Sequence, residues 1–108
     1  MKKTIALLGA TLFALLPLSA CGDTDGLTKV KINEVTHSVF YAPMYVADSL
    51  GYFEEEGIKI ELTNGGGANN VMAAVLSGDA DIGFCGPEAA LYVMLGGTND
   101  VPTVFGQL

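Results

Sequence analysis

Apolar and polar positions alternate over Val30-Lys31-Ile32-Asn33-Glu34-Val35 and again, strictly, over Ile58-Lys59-Ile60-Glu61-Leu62. Period two separates the two faces of a strand, so both segments predict strands. Ser38 to Gly51 reads instead as a helix: Ser38 caps it, Pro43 suits a first turn, and Val46, Ala47 and Leu50 share a face. Gly51 or Gly57 stops it. Val71 to Ser77 predicts a second helix, with Val71/Val75 and Met72/Leu76 four apart and Gly78 just beyond its end. Ala80 to Phe84 predicts a third, short strand. Gly86-Pro87-Glu88 opens another helix with Pro87 in its first position; Leu91, Met94 and Leu95 form its expected buried stripe. Val101 to Phe105 is a fourth strand candidate.

Strands that alternate with helices imply βαβ units. The expected class is α/β, a mainly parallel sheet with helices on both faces. The sequence stops just after the fourth candidate strand with no further helix, so an incomplete lobe is expected.

The first twenty residues have a different pattern. Lys2 and Lys3 precede an apolar run from Ile5 to Leu16, and Pro17 then leads to Leu18-Ser19-Ala20-Cys21. A basic start, an apolar middle and small residues at the end describe a secretory signal peptide, here 1–20. The run is shorter than the roughly 20 residues that span a bilayer. Leu-Ser-Ala-Cys resembles the bacterial lipobox, which predicts lipidation of Cys21 and a membrane anchor through that lipid. Two acyl chains hold a protein stably where one does so only marginally. The polar, small stretch 22–28 then reads as a flexible tether within a 21–28 segment, and 29–108 as the folded part.

Charge removes several function classes. Cleavage after Ala20 takes Lys2 and Lys3 away, leaving Lys29, Lys31 and Lys59 against all 12 acidic residues. No nucleic-acid partner is expected, because that needs a Lys/Arg footprint. With Cys21 lipidated, Cys85 remains alone, which allows neither an internal disulfide nor a zinc spacing. No metal site and no cofactor follow from the residues.

Open α/β sheets bind ligands beyond the carboxyl ends of their strands. Those ends are predicted at Thr36-His37-Ser38, Thr63 to Gly67, Cys85 to Glu88, and Gly106-Gln107. Gly65, Gly66 and Gly67 permit close backbone approach. They lack the Lys and Ser/Thr of a P-loop and the spacing of a dinucleotide fingerprint. His37 is the sole histidine. It lines a cleft or lies on the surface, and no nucleophile–base–orienter set forms around it, so no catalytic residue is assigned. Cys85 reads as small buried filler. Glu88, in a first helical turn, either complements the helix dipole or meets a ligand.

Tyr41-Ala42-Pro43-Met44-Tyr45-Val46-Ala47, then Gly51-Tyr52-Phe53-Glu54-Glu55-Glu56-Gly57-Ile58, resembles the opening of ABC-transporter substrate-binding proteins of the nitrate/sulfonate/taurine/thiamine-precursor group. Leu76 to Phe84 followed by Gly86-Pro87-Glu88 is similar to a second segment of that family. The resemblance implies the first lobe of a type II periplasmic-binding-protein fold. It also implies a small-molecule ligand held between two lobes and an ABC permease as partner. The implied location is the extracytoplasmic face of the bacterial membrane. Matched by position, His37, Ser38, Tyr41, Gly65, Gly66, Gly67, Gly86, Pro87 and Glu88 fall where that family lines its cleft. The three lysines sit at or before strand starts, the opposite pole, so a neutral or heteroaromatic ligand is favoured over nitrate or a sulfonate. The rivals are enzymes on the same fold, a menaquinone-pathway dehydratase or a thiamine-pyrimidine synthase, and a ligand-sensing receptor ectodomain.

Overall fold

A computed structural model describes residues 26–107. The expected signal peptide 1–20, Cys21 and the first part of the tether lie outside the described residues. The elements are β1 (Thr28–Glu34), a 3-10 turn (Val39–Tyr41), α1 (Ala42–Ser49), α2 (Tyr52–Glu55), β2 (Ile58–Asn64), α3 (Ala68–Ser77), β3 (Ile82–Phe84) and α4 (Glu88–Leu95). The three strands form one parallel sheet in the order β2-β1-β3. Glu34 stands opposite Asn64 on one side and Phe84 on the other, so all three strands end level.

The chain therefore crosses from β1 to β2 in one direction and from β2 past β1 to β3 in the other. Right-handed crossovers in opposite directions place their helices on opposite faces. The contacts agree. Tyr45 of α1 reaches Glu34, which shares a strand face with Val30 and Ile32. α3 lies on the other face, where Val71, Val75 and Met72 close over Gly83. The expected α/β class with helices on both faces is the observed one.

Gly83 shows how close that second layer sits. A Cβ there would stand 2.9 Å from Val71 Cγ1 and 3.0 Å from Val75 Cγ2. Val71 is fully buried, and with Met72 and Ala89 it forms the core, against which Val35, Ala68, Cys85 and Val93 pack.

Several expectations shift. β1 begins at Thr28, so Lys31 is its fourth residue, not at its start, in register with Glu61. The helix expected over Ser38–Gly51 divides. Ser38 Oγ accepts the Phe40 N–H at 3.3 Å and caps a 3-10 turn, and Pro43 then opens α1. Gly51, at φ 77°, ends α1 and admits the short α2. The stripe expected on α4 is overturned: Leu91, Met94 and Leu95 are exposed, while Ala89 and Ala90 are buried and Val93 is half-buried. α4 faces α3 through its small residues, which allow close helix approach; at about 100° per residue Leu91 and Leu95 fall outside that contact. The fourth strand is also overturned. Residues 98–107 carry no regular structure, and Val104 and Phe105 are exposed. A strand exists by its ladder, and this segment pairs with none of the three. Among the described residues, no helix is long and apolar enough to cross a membrane.

Candidate functional site

Because the strands end in register, their following loops gather along one edge of the sheet. Gly65 N–H donates to Glu34 O at 2.8 Å and Val35 N–H to Phe84 O at 3.2 Å, tying the first loop to the other two. The Gly-rich loop is held from within. Asn64 Oδ1 accepts the Gly66 N–H at 2.9 Å, and Asn70 Nδ2 donates to Gly65 O at 2.6 Å. Gly66 has φ 70°, a left-handed conformation that a side chain resists. Gly65 has no room for a Cβ, which would meet the Asn33 side chain. Asn33 Oδ1 is buried without a hydrogen-bond partner among the described residues.

At the centre of the edge is Glu34, whose side chain is only 2% exposed. A buried carboxylate is costly unless polar groups meet it. Two do. Tyr45 O–H donates to Oε2, and His37 Nδ1 lies 3.1 Å from Oε1. Ser38 N–H donates to the Tyr45 oxygen at 3.2 Å, which commits the phenol proton to Glu34. The His37 and Tyr45 rings stack at 4.2 Å with an interplanar angle of 19°. A second aromatic pair, Tyr41 and Phe84, joins β3 to the 3-10 turn at 4.3 Å and 50°.

The nine expected site residues divide between these loops. His37 and Tyr41 each belong to an aromatic pair, and Ser38 caps the 3-10 turn and lends its N–H to Tyr45. Gly65 is tied to β1, Gly66 is exposed in the loop, and Gly67 caps α3. Pro87 stands just before α4, not at its first position, and Glu88 folds its carboxylate back over Gly86. Sequence reasoning missed Glu34. The available signal was its phase: it continues the Val30, Ile32 series, so a charge occupies an apolar-face position.

Cys85 packs against the core cluster but is half-buried, not the buried filler expected. Burial, and then the charge of Glu88, pushes its thiol above the ordinary value. The thiolate is the nucleophile, so this environment opposes nucleophilic chemistry. Tyr45 is also raised, first by desolvation and then by its bond to Glu34, against the opposing Ser38 N–H. With Cys21 replaced by Ser, Cys85 is expected to alkylate more slowly than free cysteine at pH 8, and faster after Glu88→Gln. A rate matching free cysteine would contradict the packing. Both groups hold their protons more tightly folded than unfolded. Their stabilisation is therefore full below the ordinary values of 9.0 and 10.0 and is lost as pH rises through the higher folded values. Denaturant midpoints should fall on the alkaline side.

Among the described residues, no group of three or more His, Cys, Asp or Glu could hold a metal ion. The lysines Lys29, Lys31 and Lys59 lie within the first four positions of β1 and the first two of β2. An open groove between Val75 and Leu76 of α3 and Asn99 to Pro102 lies at the opposite pole and includes none of the edge residues.

The family model described as NMT1/THI5 like matches residues 39–98. The chain is 43% identical over 98 residues to the "Putative binding protein YtlA" of Bacillus subtilis (strain 168), a match covering 91% of this chain and 29% of that protein. It is 34% identical over 70 residues to the 4-amino-5-hydroxymethyl-2-methylpyrimidine phosphate synthase of Aspergillus parasiticus, covering 64% of this chain and 20% of that protein. The chain thus spans less than a third of the length of these relatives. No solved structure matches it significantly.

Proposed function

Since the chain belongs to the NMT1/THI5-like family, we propose that it is the first part of a lipid-anchored, extracytoplasmic solute-binding protein that hands a small molecule to an ABC importer. On this reading 1–20 is a signal peptide, 21–28 a tether from lipidated Cys21 that runs into the start of β1 at Thr28, and 29–108 part of the first lobe. The observation that carries it is the level edge of three strand ends. Their loops bring an aromatic stack, a glycine loop and a helix start together without a lysine. His37, Ser38, Tyr41, Gly65, Gly66, Gly67, Gly86, Pro87 and Glu88 are the proposed ligand wall, suited to a neutral or heteroaromatic molecule.

One wall covers a ligand on one side, whereas good small-molecule sites bury roughly 70–90% of it. Calorimetric titration with nitrate, alkanesulfonates, taurine and pyrimidines should give weak or no binding to this 108-residue chain and strong binding to a protein extended to the length of its relatives. Tyr41→Ala and Glu88→Ala in the extended protein should each weaken binding roughly tenfold, the loss of one good contact. Unchanged affinity in both variants would place the ligand elsewhere. Mass spectrometry of the mature N-terminus tests the anchor; an unmodified Cys21 in the exported protein would remove it.

The fungal synthase among the relatives supports a second reading, an enzyme acting on a pyrimidine. Incubation with the pyrimidine that binds best separates the two. A binding protein returns it unchanged, while a product lost on His37→Ala would establish turnover.

A further inference from the structure

We propose that Glu34 is a positioning residue that holds the neutral His37 imidazole as its Nδ1–H tautomer and thereby turns the Nε2 lone pair into the hydrogen-bond acceptor of the strand-end edge, for an N–H or O–H donor on an aromatic ligand. It rests on the ligand wall proposed above for its second half only. The donors around Glu34 make the case. The Tyr45 oxygen accepts the Ser38 N–H, so its own proton points to Glu34 Oε2. A carboxylate that already receives one proton and is sealed from water accepts at its other oxygen as well. The atom facing Oε1 is His37 Nδ1 at 3.1 Å, which must then carry hydrogen. In a neutral imidazole the remaining nitrogen is the acceptor.

Geometry keeps that acceptor available. The His37 side chain is 70% exposed, while Glu34 is 2% exposed, so the pair has a buried end and an open end. Stacking on Tyr45 at 4.2 Å and 19° fixes the ring plane, so Nε2 points away from Glu34. A ligand carrying only acceptors meets a lone pair there, with a carboxylate behind it. A ligand carrying a donor completes the chain Tyr45–Glu34–His37.

The chain has a single histidine, so one imidazole signal reports the site without assignment. Two-bond proton–nitrogen correlation spectra of the full chain, labelled with nitrogen-15 in histidine, read the tautomer directly at about pH 8. The expected spectrum has Nδ1 protonated and Nε2 bare. Glu34→Ala should shift the equilibrium toward Nε2–H, and Glu34→Gln, which keeps an acceptor oxygen, should retain part of the wild-type preference. A wild-type ring protonated at Nε2 overturns the proposal without any variant, and so does an unchanged tautomer in folded Glu34→Ala. Aniline and N,N-dimethylaniline, which differ in their N–H donor, then probe the open end in the protein extended to the length of its relatives, where comparison with its His37→Ala variant identifies the resonance. Aniline should move the Nε2 resonance and bind roughly three- to tenfold more tightly, the worth of one hydrogen bond. Equal binding of the two overturns the donor partner. Binding of neither overturns the ligand wall itself, while the tautomer stands or falls on its own spectrum.

Discussion

Gly83→Val is expected to remove the cooperative unfolding of the domain, or to leave it with a much lowered midpoint. Gly83 lies in β3 beneath α3, where a Cβ would meet Val71 at 2.9 Å, Val75 at 3.0 Å and Met72 Cε at 3.2 Å. Met72 ends in a flexible methyl that can swing aside. The two valines are β-branched and nearly locked in a helix. Val71 is also fully buried, with no open space to move into. Overpacking of this kind costs about 1–3 kcal/mol, occasionally more. Whole domains retain only about 5–15 kcal/mol, and small ones sit at the low end. Gly83→Ala should fall between wild type and Val. Thermal and urea unfolding followed by circular dichroism would measure both; a Val variant with an unchanged midpoint would mean that α3 is not seated on β3.

The second large effect is expected at Glu34. Glu34→Ala leaves Tyr45 O–H and His37 Nδ1 without their acceptor. His37 is exposed and recovers water, so its share is small. Tyr45 is half-buried and recovers less. Leaving such a group unsatisfied costs about 1–3 kcal/mol. Tyr45→Phe removes the same bond from the other side and also strands the Ser38 N–H, at about 1 kcal/mol. If the bond is shared, the double variant should be less destabilised than the two single variants added together, by on the order of 1 kcal/mol. Strict additivity in urea unfolding would show that the two side chains do not act as a pair.

Much of the architecture was open to a local reading. The alternation in 30–35 and 58–62, the short strand before Cys85 and the helical spacing in 71–77 all correspond to elements of the structure. Each depends on a period within a few residues. The loops that end the strands follow directly, so the edge carrying His37, the Gly65–Gly67 run and Glu88 was also legible.

Local patterns set the three strands and the helices between them, the class, and the loops that share an edge, because hydrophobic period and turn residues act within one segment. Long-range packing selected which apolar residues are covered. Leu91 and Leu95 are as hydrophobic as any core residue, yet α4 meets Val71 and Met72 of α3 through Ala89 and Val93, since small side chains permit the closer approach. It also decided that 101–105 is not a strand, because a ladder needs a partner that no local pattern supplies. Glu34 is the clearest case. Its sequence neighbours mark it as a strand residue. Its role comes from Tyr45, eleven residues away on another element, and from His37 across a turn. A buried charge is stable only where distant donors converge on it, and that convergence is a property of the fold.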